Sequence, residues 1–229
     1  CIRDSHLSTL LLLAFVTSCG ENISPVDSGL EQQIFHFGNG AEPQGLDPHI
    51  VTGVPEHHLL IALCEGLTSS NPKGGAPLPG MAESWTLNED GTVYTFNINQ
   101  NAKWSNGDQV IADDFVWSWK RVLTPSLGSQ YTDMLYYVKN AKQFYNGEIK
   151  DFSMVGVKAI DTYTLEVTLE NPTPFFLGLL SHYSTWPVHK DTVLKHGEID
   201  DRNGQWTRPG NFVCNGPFQL KSWELNNKI

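Results

Sequence analysis

The chain has 229 residues, 40% of them hydrophobic and 17% charged, which suits one large globular domain or two small ones. Its formal net charge is −10, and the basic footprint that nucleic-acid binding demands is absent, which excludes that class. Seven Trp, seven Tyr and eleven Phe can fill a core and still line a ligand cleft.

The chain opens on an apolar run at residues 10–16, within STLLLLAFVTSC. A run of about ten such residues is too short to span a bilayer and suits the hydrophobic segment of a signal peptide. It ends in Val16-Thr17-Ser18-Cys19, which resembles the lipobox of bacterial lipoproteins. There the signal is cut before the Cys and its thiol is lipidated. Residues 1–18 are therefore expected to be a lipoprotein signal peptide and Cys19 the lipidation site. An ordinary secretory signal or a buried strand are the alternatives. The sequence starts at Cys1 rather than Met, so the true N-terminus is expected upstream. Residues 19–30 are polar, with Gly, Pro and Ser, and suit a flexible tether.

Beyond the tether, residues 32–40 alternate apolar and polar and stop at Gly, the pattern of a strand. Residues 41–56 are a connector rich in Pro and Gly. Pro55 and Glu56 open a helix that carries Leu59, Leu60 and Leu63 and stops at Gly66. ESWTLNEDGTVYTFNI (residues 83–98) reads as a hairpin turning at Asn88-Glu89-Asp90-Gly91. Phe115, Trp119 and Val122 are spaced i, i+4, i+7, the stripe of a core-facing helix. Residues 128–148 read as helical, and residues 155–169 as a second hairpin turning at Asp161-Thr162. Two short helices are expected at residues 172–182 and 189–197. Residues 215–229 read as a strand. The whole is mixed α+β with several hairpins, and no repeat of solenoid period is present.

Few of these residues suggest chemistry. Asp113 and Asp114 fall in the first turn of the Phe115 helix. There carboxylates interact favourably with exposed N–H groups and the helix dipole, by roughly 0.3–1 kcal/mol each. Adjacent helical residues point about 100° apart, so the pair is poorly placed to share a proton. No GxSxG, Walker-A or HExxH pattern occurs, and GNGAEPQG has Pro43 where a dinucleotide fingerprint needs Gly. No metal or cofactor is expected. Cys64 and Cys214 sit among apolar neighbours, and both a bridge and two buried thiols are open.

A set of phrases is more specific: AEPQGLDPH, GVPE, EGL, AESW, YTFNI…NAKWSNGD, DFVWSWKRV, VKAIDTYTLEVTLENPTPFF and NGPFQLKSW. In this order and spacing they resemble the peptide/oligopeptide/nickel family (family 5) of extracellular solute-binding proteins, the receptors of ABC importers. The resemblance covers about residues 31–229. It implies a two-lobed, periplasmic-binding-protein-like mixed α/β fold of the type II class, of which this chain is the N-terminal lobe without the second lobe. Residues 31–55 and 170–229 would form a hinge-proximal subdomain, and residues 56–169 an inserted second subdomain. Such receptors hold a peptide backbone as an added strand. By position, the resemblance implies ligand contacts at Thr52, Gly53, Val54 and Tyr131, with Asn215 and Gly216 as weaker candidates. The family has an acidic residue where Thr52 stands, which weakens any expectation of basic side-chain preference. It also has a small capping residue where Ile111 stands.

The function implied is an exported, lipid-anchored, monomeric and non-catalytic receptor in the periplasm or cell envelope. It binds oligopeptides and passes them to a membrane permease, whose ATPase subunits lie further away. A lipoprotein sensor or adhesin, a receptor for dipeptides, nickel or haem on the same fold, and an exported hydrolase are the alternatives.

Overall fold

The computed structural model describes residues 24–229. The signal-peptide and lipobox residues, Cys19 included, lie outside them. The chain divides into two units, residues 1–40 and 41–229.

In the first unit, helix α1 (Pro25–Gln32) starts where the Ser24 side chain accepts the Asp27 N–H at 3.1 Å. It ends at Gln33, which takes left-handed backbone at φ 56°. Residues 25–30, expected within a tether, are thus helical. The strand expected at residues 32–40 is not formed. A strand needs a ladder partner, and no strand pairs with this stretch among the described residues. The Ser24 cap and Pro25 satisfy a helix locally.

The second unit begins with a connector and helix α2 (Val54–Leu63). A two-stranded ribbon follows, β1 (Thr68–Ser69) with β2 (Leu78–Pro79). The main sheet is antiparallel, in the order β3 (Ala82–Leu87), β4 (Val93–Ile98), β6 (Thr164–Thr168), β5 (Val157–Ala159). Both expected hairpins are present, and Gly91 supplies the positive φ of 70° that the first turn requires. Tyr94, Phe96 and Ile98 alternate inward from β4, and Leu165 and Val167 from β6. Helix α3 (Ala112–Val122) covers them with Phe115, Trp119 and Val122, all fully buried. The expected stripe is therefore the core face.

Residues 128–148 depart from the expected continuous helix. They form a 3₁₀ turn at Thr132–Leu135, a bridge from Val138 to Leu169 and the short helix α4 (Ala141–Tyr145). Asn140 between them is left-handed at φ 62°. The Val138 bridge and the Lys139 N–H bond to Thr168 O at 2.9 Å pull this backbone onto the sheet edge. Tertiary pairing has overridden helical periodicity here. The short helices α5 (Phe176–Leu179) and α6 (Lys190–Lys195) are as expected. Residues 215–229 hold only an isolated bridge, Glu224 to Lys228, because the described residues offer no strand beside them.

A second cluster packs Leu46 and Val51 with Leu60 and Leu63 of α2 and with Tyr183 and Trp186. Cys64 and Cys214 form a disulfide in it, across 150 residues of sequence. Helix α3 joins this cluster to the sheet. Its Trp119 Nε1 donates to Thr185 O at 2.8 Å, and its Ser118 Oγ accepts the Val188 N–H at 2.9 Å.

Candidate functional site

The N-terminus of α2 leaves backbone groups open in the second unit. Pro55 sits in its first turn and Gly53 is its cap residue. The Val51 N–H turns back to Asp47 O at 3.1 Å. The next two N–H groups, of Thr52 and Gly53, have no hydrogen-bond partner among the described residues. That of Val54 heads the helix and has no intrahelical acceptor. Thr52 and Val54 are exposed and Gly53 half-buried. A Cβ on Gly53 would meet the Glu56 carboxylate, which would have to shift to admit it. Glu56 is itself buried, with Oε1 accepting the Gln44 N–H at 2.6 Å.

Tyrosine hydroxyls hold the carbonyls of this segment. Tyr183 donates to Val51 O at 3.2 Å and Tyr131 to Thr52 O at 3.4 Å. The structure therefore brings together Thr52, Gly53, Val54 and Tyr131. Behind them stands an aromatic wall. The ring centroids of Tyr131 and His182 lie 4.9 Å apart, those of His182 and Tyr183 4.2 Å, and those of His57 and Tyr183 5.6 Å. Burial, then the neighbouring His57, holds His182 below the ordinary imidazole range. Burial and His58 do the same for His57. Burial and the Tyr131 hydroxyl push the Tyr183 phenol up. His57, His182 and Tyr183 escaped the reading of the sequence because no spacing connects residues 57, 131 and 182–183.

Beneath this segment lies a buried ionic group that also had no sequence signal beyond the LDPH phrase. Arg121 of α3 grips Asp47 with Nη1 to Oδ1 at 2.9 Å and Nη2 to Oδ2 at 2.6 Å. Arg121 Nη1 also donates to His49 Nδ1 at 3.0 Å. Arginine has no acceptor to offer, so the proton of His49 is on Nε2, which donates to Trp186 O at 2.9 Å. Burial, then the Arg121 charge, lowers the His49 pKa to about 4. Burial works to raise the Asp47 pKa, but the Arg121 charge and hydrogen bonds hold it below the ordinary carboxylate value. The group fixes the turn at residues 47–51 that delivers Thr52.

Asn215 and Gly216 lie at the other end of α2, roughly 15 Å from its start by helical rise. Asn215 Oδ1 accepts the Glu65 N–H at 3.0 Å and Nδ2 donates to Glu65 O at 2.9 Å. The Gly216 N–H donates to Leu63 O at 2.8 Å. A Cβ on Gly216 would come within 2.5 Å of Leu63 backbone. Next to the disulfide, these two residues join chain segments, and the structure does not bring them to the Thr52 edge.

Asp114 is a helix cap. Its Oδ2 accepts the Ile111 N–H at 2.9 Å and Trp104 Nε1–H at 3.0 Å. Burial pushes its carboxyl up even so. Asp113 is exposed. No three His, Cys, Asp or Glu side chains among the described residues come together as a metal site would need.

An exposed backbone edge with N–H groups unpartnered among the described residues thus lies beside an aromatic wall on a mixed α/β body. The family model of bacterial extracellular solute-binding proteins, family 5, middle, matches residues 76–229, and the chain belongs to this family. It is similar to the periplasmic oligopeptide-binding protein OppA of Escherichia coli K12. The identity is 45% over 201 residues, covering 87% of this chain and 35% of the relative. Among solved structures, Haemophilus influenzae OppA in complex with the peptide RPPGFSPFR matches with a TM-score of 0.76 and 38% identity, over 82% of this chain and 36% of that one. The unliganded open form of the murein tripeptide-binding protein MppA matches with a TM-score of 0.74 and 36% identity, over 81% of this chain and 35% of that one. The chain thus spans about a third of the length of such relatives.

Proposed function

We propose that this chain is part of an extracytoplasmic receptor of an ABC importer, which binds oligopeptides and delivers them to a membrane permease. The observation that carries the reading is the run of N–H groups at Thr52, Gly53 and Val54 that have no partner among the described residues. Main-chain hydrogen bonds to an extended peptide suit this edge and are indifferent to side-chain identity. Tyr131 and His182 then contact the peptide from the aromatic wall. Residues 1–18 act as an export signal, and Cys19 anchors the protein to a membrane at the cell envelope. The receptor works as a monomer and carries out no catalysis. In the division of the lobe at residues 31–55, 56–169 and 170–229, the packing of α2 on Leu46 and Val51 favours moving α2 to the hinge-proximal part. Asn215 and Gly216 act indirectly, by holding the end of α2.

Calorimetry of the full-length protein with di- to pentapeptides tests the reading. Binding of peptides with little regard to sequence is expected. An absence of heat with all of them, with intrinsic Trp fluorescence also flat, would sink it.

A further inference from the structure

A cavity of about 450 Å³ opens beside Thr52. The charged residues of its wall are Asp47, Arg202 and Arg208. Asp47 is already held by both Nη atoms of Arg121. Arg202 donates through Nη1 to two neutral acceptors, the carbonyls of Leu127 and Gly128. The Arg208 guanidinium lies 5.8 Å above the ring of Trp223, another wall residue. Among the described residues neither Arg202 nor Arg208 makes an ion pair. The acids beside Arg202 in sequence serve other partners: Asp200 accepts from the Ser126 hydroxyl, and Asp201 from the Asn203 N–H at 2.8 Å.

Two carboxylates stand behind the wall and are engaged: Glu42 accepts from Trp223 Nε1 at 2.5 Å and from the Asn226 N–H at 2.9 Å, and Glu56 from the Gln44 N–H at 2.6 Å. The wall itself therefore offers two guanidinium groups that no carboxylate pairs among the described residues. Two cations facing one concave space repel each other, and an anion seated between them relieves that repulsion. Contact with an aromatic ring restrains a guanidinium and leaves N–H groups for a carboxylate, which the fork of Arg suits better than a point charge does. Thr52 adds a neutral hydroxyl to the same wall.

We propose that the cavity is a carboxylate-binding pocket that takes an acidic side chain of the bound peptide, with Arg208 reading the charge. The proposal rests on the peptide-receptor reading, since the cavity adjoins the Thr52 edge.

Calorimetry of the full-length protein tests it, with tetra-alanine carrying Glu or Gln at each position in turn. At one position the Glu peptide should bind roughly fivefold tighter than its Gln twin, a size fitting partly exposed groups. That advantage should shrink with added salt. Arg208→Gln should bring the Glu peptide to the level of the Gln one, whereas Arg208→Lys should keep part of the advantage. Equal affinities at every position would overturn the pocket while leaving peptide binding intact. If no peptide binds, the receptor reading fails, and glutarate decides the pocket by itself. Heat that Arg208→Gln abolishes would assign the pocket to free dicarboxylates, and no heat would overturn it.

Discussion

His49 is kept neutral inside the second unit by burial and by the charge of Arg121, with a pKa of about 4. In the unfolded chain it would take up a proton near pH 6.5. Between these values the unfolded state binds more protons than the folded one, so stability falls as pH drops from about 6.5 to about 4. The loss from His49 is on the order of 3 kcal/mol over that window. Urea titrations at steps of pH should show this slope, and His49→Gln should flatten it. Some slope should remain, because His57 and His182 are also held low. Asp47, held low by Arg121, adds its own loss only as pH falls further, through its folded-state pKa. Asp114 carries a second prediction at this scale. Asp114→Ala removes a cap, at about 1 kcal/mol, and leaves the buried Trp104 N–H unsatisfied, at roughly 1–3 kcal/mol more. A fall of about 2–4 kcal/mol in unfolding free energy is expected. The two sites differ in how far the sequence discloses them. The role of Asp114 is local, three residues from the N–H it caps, and its place in the first turn was legible, although Asp113 read the same way. The Asp47–His49–Arg121 group joins residues separated by 74 and 72 positions, and nothing local marks Arg121 as buried.

Among the elements, α2 shows what sequence patterns convey. Pro55, Glu56 and the leucines specify a helix of nearly the observed bounds. They do not say that its far end is held by Asn215, Gly216 and a disulfide. The strand patterns at residues 32–40 and 215–229 failed for a related reason. Alternation describes one strand, but a strand exists only with a neighbour, and none pairs with either stretch among the described residues. Where both partners lie close in sequence, as in the two hairpins, the reading succeeded. The Cys64–Cys214 bond closes a loop of 150 residues, so its removal frees a large unfolded-state entropy. The Cys64→Ser, Cys214→Ser double variant should lose roughly 2–5 kcal/mol of stability, read as a shift in urea midpoint at constant slope. An unmoved midpoint would show that the second cluster holds the end of α2 without the bond.

At the scale of the molecule, family membership was legible because many short phrases fell in order along the chain. The candidate site was legible only in part. Thr52, Gly53, Val54 and Tyr131 lie together in the structure, while the histidines and Tyr183 of the wall appear only once distant segments are folded together. Relatives of known structure include one holding a nine-residue peptide and one unliganded and open. The central claim is that Thr52, Gly53 and Val54 receive the peptide backbone. Amide hydrogen exchange of the full-length protein, with and without a saturating oligopeptide, tests it most directly. The account predicts fast exchange at Thr52 and Gly53 in the free protein and marked slowing there on binding. Tight peptide binding with exchange at these amides unchanged would contradict it.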